Sequence, residues 1–195
     1  MKILFITHSF NSLSQRLYCE LTGRGHQVSI EFDISDSVTE EAVALFQPEL
    51  IVAPFLKRAI PVSVWSRHRC LIVHPGVPGD RGPSALDWAI QRGFDEWGVT
   101  VLQAEAEMDA GPVWASANFP MTATRKASLY RHQMTEAAVR AVLQAVERIA
   151  ADDFVPQRVP GQAHELMRQS DRCIDWQTDN STLVLAKLNA ADGFP

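Results

Sequence analysis

Two short apolar runs in the sequence contain no polar alternation: LIVAPF at residues 50–55 and CLIVHP at residues 70–75. Strands of this kind are buried on both faces, as in a parallel sheet that is covered by helices. Two more strands are predicted at residues 2–8 and 27–32, and helices at residues 13–21 and 39–46, where apolar residues recur at helical spacing. Strands that alternate with helices predict an open, mostly parallel, Rossmann-like α/β sheet.

The second half of the chain predicts a hairpin and a long helix. A helix is expected at residues 84–93, because proline at an early helical position, here Pro83, is tolerated. Two extended runs at residues 98–108 and 112–121, joined only by the tripeptide DAG, predict an antiparallel hairpin at one sheet edge. Residues 127–150 have the apolar periodicity of a single long helix.

The periodicity fails beyond Pro156, which predicts a domain boundary there. Residues 1–155 are expected to form one domain, which is long enough to bury a sizeable core. Residues 156–195 are interpreted as a linker with one short helix and the start of a following segment. The abrupt end predicts that the chain stops before a second domain.

The composition excludes several functional classes. A net charge of -5 over 195 residues provides no general basic surface for a nucleic acid. The N-terminal apolar run is too short for a signal peptide core or a membrane span. Cys19, Cys70 and Cys173 show no CxxC spacing, which indicates reduced thiols in the cytoplasm and offers no metal site. We therefore expect small-molecule substrates, with no membrane and no nucleic acid as partner.

A histidine lies at the end of the predicted strand at residues 70–75, before a loop rich in glycine and proline. Ligands of open α/β sheets bind at the carboxyl ends of the strands. The loop at residues 54–61 and the segment after the first strand reach the same edge. A strand-end histidine is more often a structural hydrogen-bonding residue, so the convergence of these segments predicts the site better than His74 alone.

The stretch HPGVPGDRGPSALDWAI, followed by WGVTVLQAEAEMDAGPV, resembles the folate-dependent formyltransferase family. That family includes the glycinamide ribonucleotide and methionyl-tRNA formyltransferases, and the resemblance covers residues 1–150. It implies a formyltransferase fold and an enzyme that uses 10-formyltetrahydrofolate. The segments IDW at residues 174–176 and NAADGFP at residues 189–195 also resemble the linker of the methionyl-tRNA enzyme.

Site residues follow from this resemblance. It implies that His74 and Asp109 are the catalytic histidine and aspartate. It also implies a folate pocket between two segments, formed by Phe55, Leu56, Lys57 and Arg58 on one side and by Gln103, Ala104 and Met108 on the other. Two simpler interpretations remain open: Asp109 can be a turn residue before Ala-Gly, and Asp80 can form an ion pair with Arg81 that braces the loop.

One residue departs from the family pattern. The family has an asparagine two residues before the catalytic histidine, whereas this chain has Ile72. Side chains alternate along a strand, so residues 72 and 74 are expected on the same face. Loss of an oxyanion donor typically costs about 10²–10³ in turnover. We expect a backbone N–H or Gln103 to supply the second donor.

A narrower resemblance joins THSFNSLSQRLYCEL, APFLKRAIP and GDRGPSALDWAI to the N-terminal domain of the HypX (HoxX) family of hydrogenase maturation factors. It implies formyl transfer from 10-formyltetrahydrofolate to coenzyme A, as the first step of CO synthesis for [NiFe]-hydrogenase. It also implies an enoyl-CoA hydratase-like domain that follows in the full-length chain. On the same sheet edge Asn11, Gln15 and Arg131 are predicted contacts for coenzyme A.

Other functions stay open at this point. Another folate-dependent formyltransferase, acting on tRNA or a sugar nucleotide, would normally retain the asparagine. A formyltetrahydrofolate hydrolase is a further alternative. A catalytically reduced folate- or CoA-binding domain would explain Ile72 most simply.

Overall fold

The computed structural model describes residues 1–191, and its main feature is one six-stranded sheet. Its strands are β1 (Lys2–Thr7), β2 (Gln27–Phe32), β3 (Leu50–Ala53), β4 (Cys70–His74), β6 (Glu96–Gln103) and β7 (Val113–Pro120). The strand order is β2-β1-β3-β4-β6-β7, in which the first four are parallel and β6 and β7 are antiparallel to their neighbours. The predicted mostly parallel sheet with an edge hairpin is confirmed.

Helices cover both faces of this sheet. The α-helices of the described residues are α1 (Ser12–Gly23), α2 (Asp36–Phe46), α3 (Val62–Trp65), α4 (Ala85–Gln91), α5 (Lys126–Leu129), α6 (Thr135–Ala151) and α7 (Ser181–Ala190), of which α7 packs on α4. The short α3 was not predicted, because four residues are too few to show a helical period. No helix within residues 1–191 is long and apolar enough to cross a membrane.

The alternation of side chains along β4 divides the core in two. Leu71 and Val73 belong to a large apolar cluster, whereas Cys70 and Ile72 contact a smaller cluster on the other face. The same alternation places Ile72 and His74 on one face of the strand, as the sequence predicted.

The edge hairpin has a longer connection than the sequence predicted. Strand β6 ends at Gln103 rather than at residue 108, and a loop of residues 104–112 leads to β7. The Ala104 N–H donates to the Cys70 carbonyl over 2.7 Å, which adds one more pair to the ladder between β4 and β6. Beyond this pair the loop folds back along β4, since Asp109 Oδ2 lies 3.5 Å from Nδ1 of His74 at the other end of that strand.

The long helix at residues 127–150 contains one irregular turn. Residues Tyr130–Met134 form a π-helical turn between α5 and α6. The Thr135 hydroxyl donates to the Tyr130 carbonyl over 2.7 Å, and the Tyr130 hydroxyl accepts a 3.0 Å hydrogen bond from the Asn11 amide. Single π-helical turns occur frequently at functional sites.

Residues 156–168 lie against the loop that follows β4, and we call them the strap. Strand β5 (Asp80–Arg81) pairs in parallel with β8 (Gln162–Ala163) in the strap. Farther along, α7 contacts α4, and the buried Asp87 carboxylate accepts from Lys126 and Arg172. The domain boundary at residue 155 stays a prediction. The last four residues of the NAADGFP match, 192–195, lie outside the described residues.

We expect the contact between Asn11 and Tyr130 to stabilise the join between α1 and the π-helical turn. Asn11 is the N-cap of α1, and its side chain accepts the Ser14 N–H. An Asn11→Ala variant should lower the free energy of unfolding by about 1–2 kcal/mol. Tyr130→Phe should cost about 1 kcal/mol, because it leaves the buried Asn11 amide without its acceptor.

Urea unfolding of both single variants and of the double variant measures these costs. The double variant should lose less than the sum, because the two residues share one contact. The exposed Asn118→Ala variant is the matched control and should stay within about 0.5 kcal/mol of the parent. Additive losses would contradict the coupling.

Candidate active site

The site is built around His74, the last residue of β4. Its side chain is only 4% exposed, and each ring nitrogen faces a carboxylate. The Nε2 atom lies 2.8 Å from Asp80 Oδ2, and the Nδ1 atom lies 3.5 Å from Asp109 Oδ2. An imidazole in this position has one short hydrogen bond that fixes its ring and one looser contact on the opposite side.

The loop after β4 holds both carboxylates. Asp80 lies in this loop as the first residue of β5, and the nearby Gly82 N–H donates to Asp109 Oδ2 over 3.0 Å. Asp109 has φ of 51°, so the turn places it in the left-handed region that most residues avoid. Its side chain is 10% exposed. The predicted meeting of His74 and Asp109, 35 positions apart, is therefore present in the structure.

Asp80 has a different partner from the one that the sequence predicted. Its second oxygen, Oδ1, lies 2.8 Å from Nε2 of His164 in the strap. Arg81 instead contacts Glu107 over 2.8 Å and the Val159 carbonyl over 3.3 Å. The predicted Asp80–Arg81 ion pair was wrong, because the Asp80 carboxylate is already shared between two imidazoles in the interior.

Sequence reasoning did not connect Asp80 or His164 with His74. The pattern HPGVPGD places a carboxylate six residues after the histidine, and this was the one signal that could have indicated Asp80. No local signal indicated His164, since it lies 84 positions beyond Asp80 in a segment without periodicity.

The predicted folate residues of the first segment lie at the ends of β1 and β2. The His8 N–H donates to the Phe55 carbonyl over 2.6 Å, and the Lys57 N–H donates to Asp33 Oδ2 over 3.3 Å. The Arg58 guanidinium forms an exposed ion pair with Asp36. The backbone of this loop is thus fixed by neighbouring strand ends, which suits a loop that holds a planar ring through its main chain.

Two of the residues predicted on the other side of the pocket have suitable positions. Ala104 is buried in the smaller apolar cluster, against which Leu56 and Ile72 also pack. Met108 is exposed and directly precedes Asp109. An apolar surface next to a carboxylate is chemically suited to a pterin, which has flat apolar faces and ring nitrogens that donate hydrogen bonds.

Gln103 does not lie where the sequence predicted. It pairs with Leu71 in the antiparallel ladder, and paired residues share one face of a sheet. Its side-chain oxygen accepts the Trp114 indole N–H over 3.3 Å on the face of the large core. The side chain therefore points away from Ile72 and His74, and the expectation that Gln103 supplies the second oxyanion donor was wrong.

Cys70 is the other reactive group on the face of Ile72 and His74. Burial raises the pKa of its thiol to about 12, so almost none of it is thiolate at neutral pH. A thiol in this state is a poor nucleophile. We therefore assign Cys70 to packing.

The three predicted coenzyme A contacts lie around the start of α1. Asn11 is committed to its helix cap and to Tyr130, which makes it a structural residue. Gln15 is exposed and its amide donates to the Phe10 carbonyl over 2.8 Å. Arg131 is exposed in the π-helical turn and has no ion-pair partner within residues 1–191. The predicted contact of Gln15 and Arg131 with coenzyme A stays a prediction.

No group of three or more His, Cys, Asp or Glu side chains in the described part of the chain is arranged to hold a metal ion. The expectation of a metal-independent site stays a prediction.

Comparisons with known proteins identify the family. Residues 31–146 match the family model described as Formyl transferase. The hydrogenase maturation factor HoxX of Bradyrhizobium diazoefficiens is 56% identical over 202 aligned residues, which cover 100% of this chain and 35% of the relative. A methionyl-tRNA formyltransferase of Pseudomonas syringae is 30% identical over 150 residues, which cover 73% of this chain and 48% of the relative.

A solved structure gives the same result. The crystal structure of HypX from Aquifex aeolicus in complex with tetrahydrofolic acid matches with a TM-score of 0.96 and 52% identity. The match covers 100% of this chain and 35% of that chain. The predicted resemblance to the N-terminal domain of these maturation factors is confirmed, and the chain spans 35% of their length.

We expect a Gly76→Ala variant to disrupt the contact between His74 and Asp80. A Cβ atom at residue 76 would overlap His74 Nε2 and Asp80 Oδ2. Such overpacking typically costs about 1–3 kcal/mol. Thermal unfolding should show this loss. Gly23→Ala is the control, since nothing lies within 4 Å of its added methyl group, and it should be neutral or slightly stabilising. Equal stability of the two variants would contradict this account.

Proposed function

This chain belongs to the formyl transferase family, and on that premise we propose that it transfers a formyl group from 10-formyltetrahydrofolate to coenzyme A. The observation that carries the proposal is the contact of a buried strand-end imidazole with a carboxylate, His74 Nδ1 to Asp109 Oδ2, at 3.5 Å. Family membership supports the formyl donor, and so does the similar HypX of Aquifex aeolicus, whose crystal structure is a complex with tetrahydrofolic acid. The acceptor is the part that requires separate support.

The reaction requires three functions of the protein. The thiol of coenzyme A attacks the formyl carbon, the formyl oxygen takes up negative charge, and the bond between the formyl carbon and N10 of the folate breaks. The thiol loses one proton and N10 gains one, so the reaction consumes no other reactant. The protein has to stabilise the oxyanion, move that proton and orient the two substrates.

We assign the first two functions, stabilising the oxyanion and moving the proton, to His74 and Asp109. The Asp80 carboxylate accepts the Nε2 proton of His74, so Nδ1 is the nitrogen that faces the reaction. When the ring carries protons on both nitrogens, Nδ1 can donate to the oxyanion. Asp109 lies beside that nitrogen and can carry the proton between thiol and N10, directly or through a water molecule. With Gln103 on the other face, a backbone N–H is the remaining candidate for the second oxyanion donor.

Orientation of the substrates is proposed for the two flanking segments. The main chain of Phe55, Leu56, Lys57 and Arg58 would hold one side of the pterin, and Ala104 with Met108 would form the other. Gln15 and Arg131 would bind the anionic part of coenzyme A. Helix N-termini favour phosphate oxygens. Gln15 lies in the first turn of α1, and Arg131 follows Tyr130, whose hydroxyl contacts the N-cap residue Asn11.

Coenzyme A as acceptor is supported by the high identity to HoxX and by Ile72. A thiol loses its proton more readily than an amine, so it places a smaller demand on the missing asparagine. We further propose that the product, formyl-CoA, is consumed in a decarbonylation that releases CO, by an enoyl-CoA hydratase-like part of the full-length protein. The three cysteines, free in the structure, support the proposed cytoplasmic setting.

A second candidate function is a folate- or CoA-binding domain with little turnover. Two observations favour it: the family asparagine is Ile72, and the His74 side chain is 4% exposed. A formyltetrahydrofolate hydrolase is the further alternative, in which water replaces the thiol.

We expect formation of tetrahydrofolate from 10-formyltetrahydrofolate to require coenzyme A. The assay follows tetrahydrofolate and formyl-CoA, both for the 195-residue chain and for any longer protein that its gene encodes. His74→Gln should lower the rate by about 10²–10⁴, as expected for loss of a proton-transfer or oxyanion group. His68→Gln is the matched control and should retain the rate, because His68 lies near α2 and α3 and outside the site.

Each contrary outcome of this assay has a defined meaning. Release of tetrahydrofolate at the same rate without coenzyme A would indicate a hydrolase. Folate binding without turnover in either protein would support the binding domain and overturn the transferase proposal.

We expect an Ile72→Asn variant to change the coenzyme A-dependent rate by less than tenfold, because the thiol acceptor lowers the demand for that donor. The rate constants of parent and variant are compared at saturating folate. Ile72→Val, which only shortens the side chain, controls for altered packing in the smaller core. A rate constant at least tenfold higher in Ile72→Asn, but not in Ile72→Val, would contradict this expectation. It would show that no other group replaces the asparagine amide.

A further inference from the structure

The contact between Asp80 and His164 joins the site to a segment that the family model does not cover. The match ends at residue 146, whereas His164 lies in the strap. His74, Asp80 and His164 form a continuous chain of two 2.8 Å contacts, from Nε2 of one imidazole through the carboxylate to Nε2 of the other. The side chains of these residues are 4%, 3% and 13% exposed.

We propose that His164 is a positioning residue for His74, acting through Asp80. Rotation of the Asp80 carboxylate would move Oδ2 away from His74 and leave the imidazole free to turn. His164 binds Oδ1, the other oxygen, so the carboxylate is held at both ends. Buried polar groups that are fully hydrogen-bonded are rigid, and those left half-satisfied are costly. The proposal rests on the proposed function only for its effect on the reaction rate.

The backbone of the strap is built to hold His164 at this position. The Gln162 N–H donates to the Gly79 carbonyl and the His164 N–H donates to the Arg81 carbonyl, each over 2.9 Å. A Cβ at Gly79 would lie 2.6 Å from the Pro160 carbonyl, and a Cβ at Gly82 would lie 2.6 Å from the His164 carbonyl. Both glycines also have positive φ. Glycine is therefore required on the loop side for so close an approach.

The charged groups around Asp80 come from three elements. His74 comes from β4, His164 comes from the strap, and Arg81 follows Asp80 in β5. Arg81 is directed to Glu107 and Val159, and its buried Nε atom has no hydrogen-bond partner among the described residues. Asp109 contacts the opposite nitrogen of His74. Among these groups in residues 1–191, only His164 contacts Oδ1 of Asp80, the oxygen that His74 does not bind.

Side-chain variants of His164 test the proposal without removing the strap, because its hydrogen bonds to the loop are made by the backbone. His164→Gln retains an N–H donor near the position of Nε2, whereas His164→Leu retains the bulk and loses the donor. Asp80→Asn is the positive control, and His68→Leu is the matched control at a histidine outside the site. Circular dichroism and thermal unfolding establish that each variant is folded.

The first readout is independent of any enzymatic activity. Long-range ¹H–¹⁵N spectra of the chain report which ring nitrogen of His74 carries a proton and whether that proton exchanges slowly. We expect a protected Nε2 proton in the parent, in His164→Gln and in His68→Leu. The signal should shift or disappear in His164→Leu and in Asp80→Asn. An unchanged His74 signal in folded His164→Leu would overturn the proposal.

The second readout is the coenzyme A-dependent rate. His164→Leu should lower kcat about tenfold or more, with KM for the folate within a factor of two, and His164→Gln should restore most of the loss. Removal of an outer partner of a functional side chain typically costs about 10–100-fold at metal sites, where this has been measured. Equal rates for the His164→Leu variant and the parent would overturn the positioning role. If the parent itself transfers no formyl group, the proposed function fails and the spectra still decide the proposal.

Discussion

The short hydrogen bond between His74 and Asp80 sets the requirements that the surrounding chain meets. Both groups are almost completely buried, and an ionisable group in the interior is tolerated only when it is paired and hydrogen-bonded. The pair therefore restricts which residues the neighbouring segments can contain. Gly76 lacks a side chain because a methyl group there would overlap both partners. The loop carries glycines where the strap approaches, and the strap supplies the group that binds the second oxygen of Asp80.

Much of the fold could be predicted because buried strands leave strong local signals. The runs at residues 50–55 and 70–75 indicated the central strands, and alternation along β4 placed Ile72 beside His74 correctly. The end of β6 could not be predicted in the same way. Residues 104–108 look extended in sequence, but β6 ends at Gln103 and the following loop folds back to His74 in β4. That choice depends on a strand more than thirty positions earlier, which no window of the sequence contains.

The candidate site shows the same division. The residues carried over from the family, His74 and Asp109, meet as predicted, since the family pattern encodes their positions together. Their roles remain proposals. Gln103 was assigned to the wrong face because its predicted role did not take account of its register with Leu71. The contacts of Asp80 with His74 and His164 were not predicted, because they arise only when the folded chain brings these residues together. A carboxylate in a glycine-rich loop and a histidine in an aperiodic tail have no joint signature in a single sequence.

The parallel pairing of β5 with β8 has a consequence for how this protein can be divided. A catalytic module that is cut at the end of its last long helix, near residue 151, would omit the strap and with it His164. Chimaeras made by exchanging such modules between relatives would join a loop evolved for one strap to a different one. A fragment designed to retain the contact between Asp80 and His164 therefore has to extend through the strap, to residue 168.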